Sequence, residues 1–429
     1  MSNFKIAITT IFSICILVAL VLFALSKGSS GTANANILVW GTIHSDAFDT
    51  AYRNSSLYAN KNLKIQYVKK DIADFDSEFV EALADGIGPD IVVLRDDFMY
   101  KERNKLLVIP YKSYSERSFK DTFIEEGELF LSEEGVVAVP FIVDPLVLYW
   151  NRDMFSSALI SQPPQYWDEF YSIISKITKK DSGGNILQSA LALGEWRNIN
   201  NAKEILSMIL LQAGTSITTR GSDTQGVYST LTSKFNYPIA PGQSAVNFYT
   251  QFSNPTSENY TWNRSLPSSL NFFLSGNLAT YFGFASEIFS IQQKNSNLNF
   301  DVTYVPQIRD ATKKTGFAHM YALALVKQSK NISSSFSVVA GLTEPAAIKS
   351  LESVTNLPPV RRDLIADRPS DAFRAVFYNS ALVSHSWIDP NSSQSSNTFR
   401  DMIESITGGQ SRTSEALSRA EAELNNELK

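Results

Sequence analysis

Cysteine is nearly absent from this chain. Of 429 residues one is cysteine, Cys15, and it lies inside an apolar run near the N-terminus. The rest of the chain therefore carries no disulfide and no thiolate chemistry, which is compatible with an exported protein that folds without oxidative stapling. Histidine is scarce as well: His44, His319 and His385 stand far apart and show no metal-ligand spacing. An H-E-x-x-H pair, a phosphate-cradling G-x-x-x-x-G-K-[ST] loop and a G-x-G-x-x-G turn after a strand are all missing. So is a G-x-S-x-G nucleophile elbow. Lys314-Thr315-Gly316 has no S-x-x-K partner beyond the N-terminal run and reads as a surface turn. Excess positive charge is missing too. Thirty-eight Lys and Arg face 43 Asp and Glu, a net charge of -5, and no basic stripe stands out, so nucleic acid is excluded as a partner. These absences count against an enzyme but do not remove one, because paired carboxylates leave no local signature.

What is present is apolar and aromatic. Hydrophobic residues make up 44% of the chain, with 27 Phe, 17 Tyr and 6 Trp, enough for more than one core. The length exceeds what a single core usually supports, so two lobes are expected. Ile6 to Leu25 is an uncharged run preceded by Lys5. About 20 apolar residues suffice to cross a bilayer as a helix, whereas a secretory core run is usually about 7–15. The run is read as an uncleaved anchor ahead of a signal peptide cleaved near Ala33-Asn34-Ala35. In either case Ser26 to Asn36 is a short tether and the bulk lies outside the cytoplasm.

Downstream, strand and helix patterns alternate. Ile37–Trp40, Leu63–Val68 and Ile91–Leu94 read as strands, and the segments around Asp46–Asn60 and Phe75–Leu83 as helices. That order predicts a parallel sheet with helices on its faces. The pattern restarts with strands at Leu146–Trp150 and Leu187–Leu193. Helical spacing links Trp167, Phe170, Ile173, Ile174 and Ile177, and a strongly apolar helix is expected over Ala202–Ala213. A further helix is marked by Val246 to Phe252. Leu266–Ile291 reads as helix, strand, helix, followed by strands at Phe300–Val305 and Tyr321–Val326. The remainder is mostly helical and ends with Leu417, Ala420, Leu424 and Leu428 on one helix face. The Ser- and Asn-rich stretch Asn391–Asn397 reads as a surface loop. No internal repeat is found.

The most informative stretch is Val136 to Phe155, VVAVPFIVDPLVLYWNRDMF. Two apolar runs flank Asp144-Pro145. Proline cannot donate to a ladder and holds its predecessor extended, so Asp144 is placed where one run hands over to another, near a crossover or hinge. Upstream, GPDIVVLRDDF (88–98) is a buried strand with acids just past its end; downstream, PPQYWDEF (163–170) opens a helix. From about Ile37 onward this order resembles the extracellular solute-binding proteins of bacterial ABC transporters, in the sugar-binding group that includes maltose-binding protein. The resemblance implies an α/β fold of the periplasmic-binding-protein type: two lobes, a hinge and a ligand cleft, preceded here by one N-terminal apolar helix. It implies an anchor or signal peptide plus tether over 1–36, a first lobe over 37–145 and 279–325, and a second over 146–278 and 326–429.

A sugar offers hydroxyls and apolar C–H faces, so its site needs carboxylates and aromatic rings where strand ends of two lobes meet. By resemblance the cleft residues are Trp40, His44, Asp97, Asp144, Glu195, Trp196, Phe284 and Trp387. Each has a structural alternative: Asp144 as a turn cap before Pro145, Asp96 or Asp97 as a helix cap, Trp40 and Phe284 as core, His44 as a solvated loop residue, Glu195 in a surface turn. Tyr149 and Trp150 alternate along a strand, so at most one faces the cleft. The implied function is an extracytoplasmic receptor that captures a sugar or oligosaccharide by hinge closure and delivers it to an ABC permease. The expected protein is a monomer, uses no cofactor and no metal, and makes or breaks no bond. A polyol, polyamine or peptide binder, a ligand-receiver for a signalling partner, and an extracellular carbohydrate-active enzyme using Asp97, Asp144 and Glu195 as acid and base are the competing readings.

Overall fold

A computed structural model describes residues 35–221 and 226–429. The run Ile6–Leu25, with Cys15 and the expected N-terminal apolar helix, lies outside these residues. Among those described, no helix is long and apolar enough to cross a membrane.

The sheet is built as expected from short buried apolar runs. Ala35–Gly41 pairs in parallel with Leu63–Lys69 on one side and with Ile91–Arg95 on the other. Val92 and Val93 are fully buried, as befits a strand covered on both faces. Ala318–Val326 then adds antiparallel to Ile91–Arg95.

The handover predicted at Asp144 is real, but it occurs within one strand. Val139–Asn151 runs unbroken for 13 residues. Its first half, through Pro145, pairs with Ala318–Val326, with His319 opposite Asp144 and a register shift at Tyr321/Ala322. Its second half, Leu146–Trp150, pairs antiparallel with Leu278–Phe284. The latter runs parallel to Ile186–Leu191, and Phe300–Thr303 pairs with Leu148–Asn151. One strand therefore belongs to both halves of the sheet and changes partner at Asp144-Pro145. Pro145 is tolerated because the partners change at that point, where a ladder bond is dispensable.

These pairings correct the expected lobe boundaries. Leu278–Phe284 and Phe300–Thr303 join the half built on Leu146–Asn151, so of 279–325 only the Ala318–Val326 end belongs with Ile91–Arg95. Conversely, the helix Pro345–Thr355 packs on Ser45–Arg53 and Ile332–Leu342 packs on Ala318–Val326, so the stretch after Val326 returns to the first half. Ala372–Leu382 packs on the long strand and on Phe300–Thr303, and Ser392–Thr407 and Thr413–Glu427 pack on each other and on Pro241–Thr250. These three helices belong to the second half.

Asn391–Asn397 is also corrected. It is no loop but the start of the helix Ser392–Thr407, with Asn391 as its cap. Phe399, Met402 and Ile403 are buried on one face at helical spacing, and that packing overrides the low helix propensity of the Ser/Asn run. The C-terminal helix buries Leu417, Ala420 and Leu424 as expected.

Just past the switch, Tyr149 is fully buried, and its hydroxyl donates to the carbonyl of Phe284 at 2.7 Å. Gly283 allows this approach, since a Cβ there would sit 2.5 Å from Tyr281 and 3.0 Å from the Tyr149 ring. Removing one partner of a buried hydrogen bond costs about 1–3 kcal/mol. Tyr149→Phe is therefore expected to lower the unfolding free energy by about that amount in urea titration with no change in m-value; an unchanged midpoint would show that this bond does not stabilise the joint.

Candidate functional site

The ends of Ile91–Arg95 and Ala318–Val326 in the first lobe meet the start of helix Ala202–Gln212 and the segment 386–396 of the second. Four carboxylates and three cations converge there. Arg95 holds Asp97 in a fork, Nε and Nη2 each donating to one carboxylate oxygen at 2.6 Å. Asp97 is buried; burial raises its pKa, but Arg95, His319 and Lys203 together outweigh it and hold the carboxyl far below the usual range. Asp96, next in sequence, is also buried. It accepts from Met320 N–H at 3.1 Å, from the Ser386 hydroxyl and from His319 Nδ1 at 2.9 Å.

His319 lies between the two lobes. Its Nδ1 faces Asp96 and its Nε2 faces Glu204 at 3.3 Å. Burial and the Arg95 charge push its pKa down, but the two carboxylates outweigh them and lift it to about 9. Both ring nitrogens therefore donate at neutral pH. Phe284 stacks on the ring at 5.1 Å between centroids and Phe317 meets it edge-on. Glu204, held ionised by His319 against the effect of burial, stands at the third position of its helix, beside Lys203. Lys203 pairs with Asp389, lies 3.9 Å from Asp97, and donates to Ser392 C=O at 3.1 Å. The Ser392 hydroxyl donates to Asp97. Nearby, Glu126 is buried, and burial raises its carboxyl well above the usual range.

The structure employs the expected cleft residues in different ways. Asp97 is in the network. Trp196 lines a cavity of about 410 Å³ beside it, together with Arg95, Asn201, Lys203, Glu204 and Ser392. Phe284 and Trp387 support the network from behind: Phe284 covers His319, and Trp387 is 3% exposed, with Lys203 over its ring and its Nε1 donating to Ser207. Asp144 is at the joint, where it accepts from Ser286 N–H at 3.0 Å across the switch. Burial raises its pKa to about 6. The remaining three are not brought into the network. Glu195 is bonded to Arg264 at 2.7 Å within the second lobe. Trp40 is buried under Lys70. His44 is exposed and caps the helix Ser45–Arg53 through Asp46 N–H at 3.4 Å. His319, Lys203, Glu204, Ser386, Asp389 and Ser392 were not singled out as candidates. Their partners lie 100 to 300 residues away and no local pattern links them, though a buried strand reading AHMYALALV with one histidine, or an apolar helix opening on Lys-Glu, are faint signals.

Asp96, Asp97 and His319 place ligand atoms within 4.8 Å of one another, close enough for a metal. The chemistry does not suit one: a metal-bound imidazole must be unprotonated, and Asp97 is already engaged by a guanidinium. On the far side of the network a second cavity, of about 570 Å³, has Asp96 on its wall and Tyr100, Arg103, Arg220 and Ile388 around it.

Two lobes joined through one partner-switching strand, with cavities across the joint, define the two-lobe fold of solute receptors that bind between lobes. Residues 52–375 match the family of bacterial extracellular solute-binding proteins, and the chain belongs to that family. No curated protein is a recognisable sequence relative. Among solved structures, a cyclo/maltodextrin-binding protein complexed with maltotetraose is similar, at 15% identity and a TM-score of 0.74 over 94% of this chain and 99% of that one. A cyclic α-maltosyl-1,6-maltose-binding protein from Arthrobacter globiformis is 16% identical, with a TM-score of 0.73 over 92% and 100%. An ABC transporter solute-binding protein from Thermotoga lettingae, bound with α-D-tagatose, is 17% identical, with a TM-score of 0.63 over 92% and 100%.

The shifted carboxyl at the joint has a measurable consequence. A raised folded-state pKa means the protonated form of Asp144 is favoured by folding, so the full benefit holds below pH 3.8 and is lost as pH rises through 6. At pH 7.5 the buried charge is a cost. Asp144→Asn keeps an oxygen for Ser286 N–H and removes that cost. Its stability is expected to exceed wild type at pH 7.5, by up to about 1–3 kcal/mol, and to converge with wild type by pH 4. Equal stability at both pH values in thermal melts would refute the assignment.

Proposed function

We propose that this protein is an extracytoplasmic receptor that captures a sugar or oligosaccharide between its lobes by hinge closure and delivers it to an ABC permease. The observation that carries the ligand class is the cavity beside the network. Its lining brings Trp196 together with Asn201, Ser392 and charged hydrogen-bonding groups of both signs, the residue types that suit a sugar's C–H faces and hydroxyls. The family is extracytoplasmic, and the structural relatives include proteins named for binding maltodextrins or bound to maltotetraose and tagatose. On this reading the uncharged run Ile6–Leu25 tethers the protein to the membrane surface, and the receptor works as a monomer.

The carboxylates offered as acid and base for an enzyme are differently employed. Asp97 is held ionised by Arg95, and Glu195 is bonded to Arg264. A general acid must carry a proton near the working pH, and Asp97 beside Arg95 does not; Asp144, raised to about 6 by burial, is tied to Ser286 N–H at the joint. The environment suits binding better than bond cleavage.

Calorimetric titration of the fragment from Asn36 onward against mono- and oligosaccharides, with polyamines and amino acids alongside and product assayed in the same tubes, tests this. Saturable one-to-one binding of a saccharide without product is expected, and Trp196→Ala is expected to weaken it at least tenfold, since stacking and area loss of about 1.5 kcal/mol or more suffice. Turnover would replace the receptor with an enzyme, and saturation by a polyamine alone would replace the sugar.

A further inference from the structure

Lys203 and Glu204 are consecutive residues at the start of one second-lobe helix, and each faces a different first-lobe element. Glu204 accepts from His319 on Ala318–Val326. Lys203 approaches Asp97, which follows Ile91–Arg95, while Asp97 also accepts from second-lobe Ser392. All of these side chains lie at or below 14% exposure apart from Ser392. The other polar contacts across the joint pair no second charge at depth: Ser386 donates to the buried Asp96 and Ser286 N–H to Asp144. Tyr100 donates to Leu428 C=O, Arg220 to Leu129 C=O, and Lys313 to Glu125 on the exposed rim. Exposed pairs such as the last contribute little, about 0–1 kcal/mol.

From this geometry we infer that Lys203 and Glu204 form a closure latch that holds the lobes together without any ligand. The inference depends on the two-lobe fold and not on the identity of the solute. Hinge receptors ordinarily close because the ligand touches both lobes at once. Here the two lobes touch each other through charge at that depth, so the closed form is the main state of the ligand-free protein. Lys203 and Glu204 are positioning residues: they set how much closed form exists before ligand arrives, and apparent affinity scales with that fraction. Asp389 and Ser392 keep Lys203 aimed at the joint, and Asp96 keeps His319 aimed at Glu204.

The test is the distance between lobes in the ligand-free full chain in detergent micelles. Spin labels at Tyr58→Cys and Leu187→Cys, both well exposed and one in each lobe, in a Cys15→Ser background report it by pulsed electron paramagnetic resonance. Wild type is expected to give one dominant short distance. Glu204→Gln and Lys203→Met are each expected to move most molecules to a longer one, a change of at least tenfold in the closed-to-open ratio. Glu404→Gln, which breaks the exposed Arg197–Glu404 pair inside the second lobe, is expected to change nothing. If either latch variant fails to fold by circular dichroism, Ser392→Ala reads the same device by removing only the hydroxyl bond to Asp97, with a smaller shift in the same direction. A wild type already at the long distance, or folded latch variants with an unchanged distribution, would overturn the latch. Saccharide titration of the same samples keeps the ligand question separate: failure to bind sugar with a short wild-type distance defeats the proposed solute and leaves the latch standing.

Discussion

The constraint on which everything else depends is the change of partner along Val139–Asn151. A sheet that continues from one lobe into the next through a single strand can flex only where that strand is least tied to its neighbours. That point is Asp144-Pro145, because Pro145 has no N–H to give and the ladders on either side end there. The second crossing follows from the first. Ala318–Val326 pairs with the first half of the long strand, so His319 and Ala318 arrive at the joint opposite Asp144 and Pro145. The histidine that bridges the lobes is thus positioned by backbone register, and its protonation is set by the carboxylates that register brings to it.

The same register explains why the cleft acids are not equivalent. Asp96 and Asp97 are neighbours at the end of one strand, and as the first two residues of a helix their side chains diverge. One is drawn to His319 and Ser386, the other to Arg95 and Ser392. Each therefore ends in its own set of donors, and two buried carboxylates coexist in adjacent positions without sharing a proton. Asp144 has only one N–H donor from Ser286 and no cation in contact, so burial prevails and its pKa rises.

Much of this fold could be read from the chain because many of its strands are short and mostly apolar. Ile91–Arg95, Ile186–Leu191 and Leu278–Phe284 all announce themselves that way. The change of partner was legible at Asp144-Pro145 because proline's lost donor has only a few places to go. The lobe boundaries were not legible, since which half of a sheet a strand joins is decided by pairing partners more than 100 residues distant. Asn391–Asn397 misled for a similar reason: its polar composition suits a loop, but the apolar face that makes it helical begins at Phe399, and its serines are needed at the joint. Of the site, the aromatic and acidic strand ends were visible as types. Which of them faces the other lobe was not, because Trp40 and Trp196 have comparable local settings and only tertiary packing puts one under Lys70 and the other beside a cavity.

A charged network at such depth need not make the closed form very stable. Removing charges from water costs several kcal/mol per ion, and attraction in the interior repays this only where geometry is good and remaining lone pairs are satisfied. Here Asp96, Asp97, Glu204 and Asp389 face Arg95, Lys203 and His319, so the sum is within one charge of neutral with the imidazole protonated. Most oxygens find hydrogen-bond donors, and opening the lobes would return both sets to water. Gain and cost therefore offset in large part, so the joint can be well populated and still open when its groups find other partners. An all-apolar joint of the same area would lack that balance, because its burial is favourable throughout and nothing would offset it when the solute has to be released.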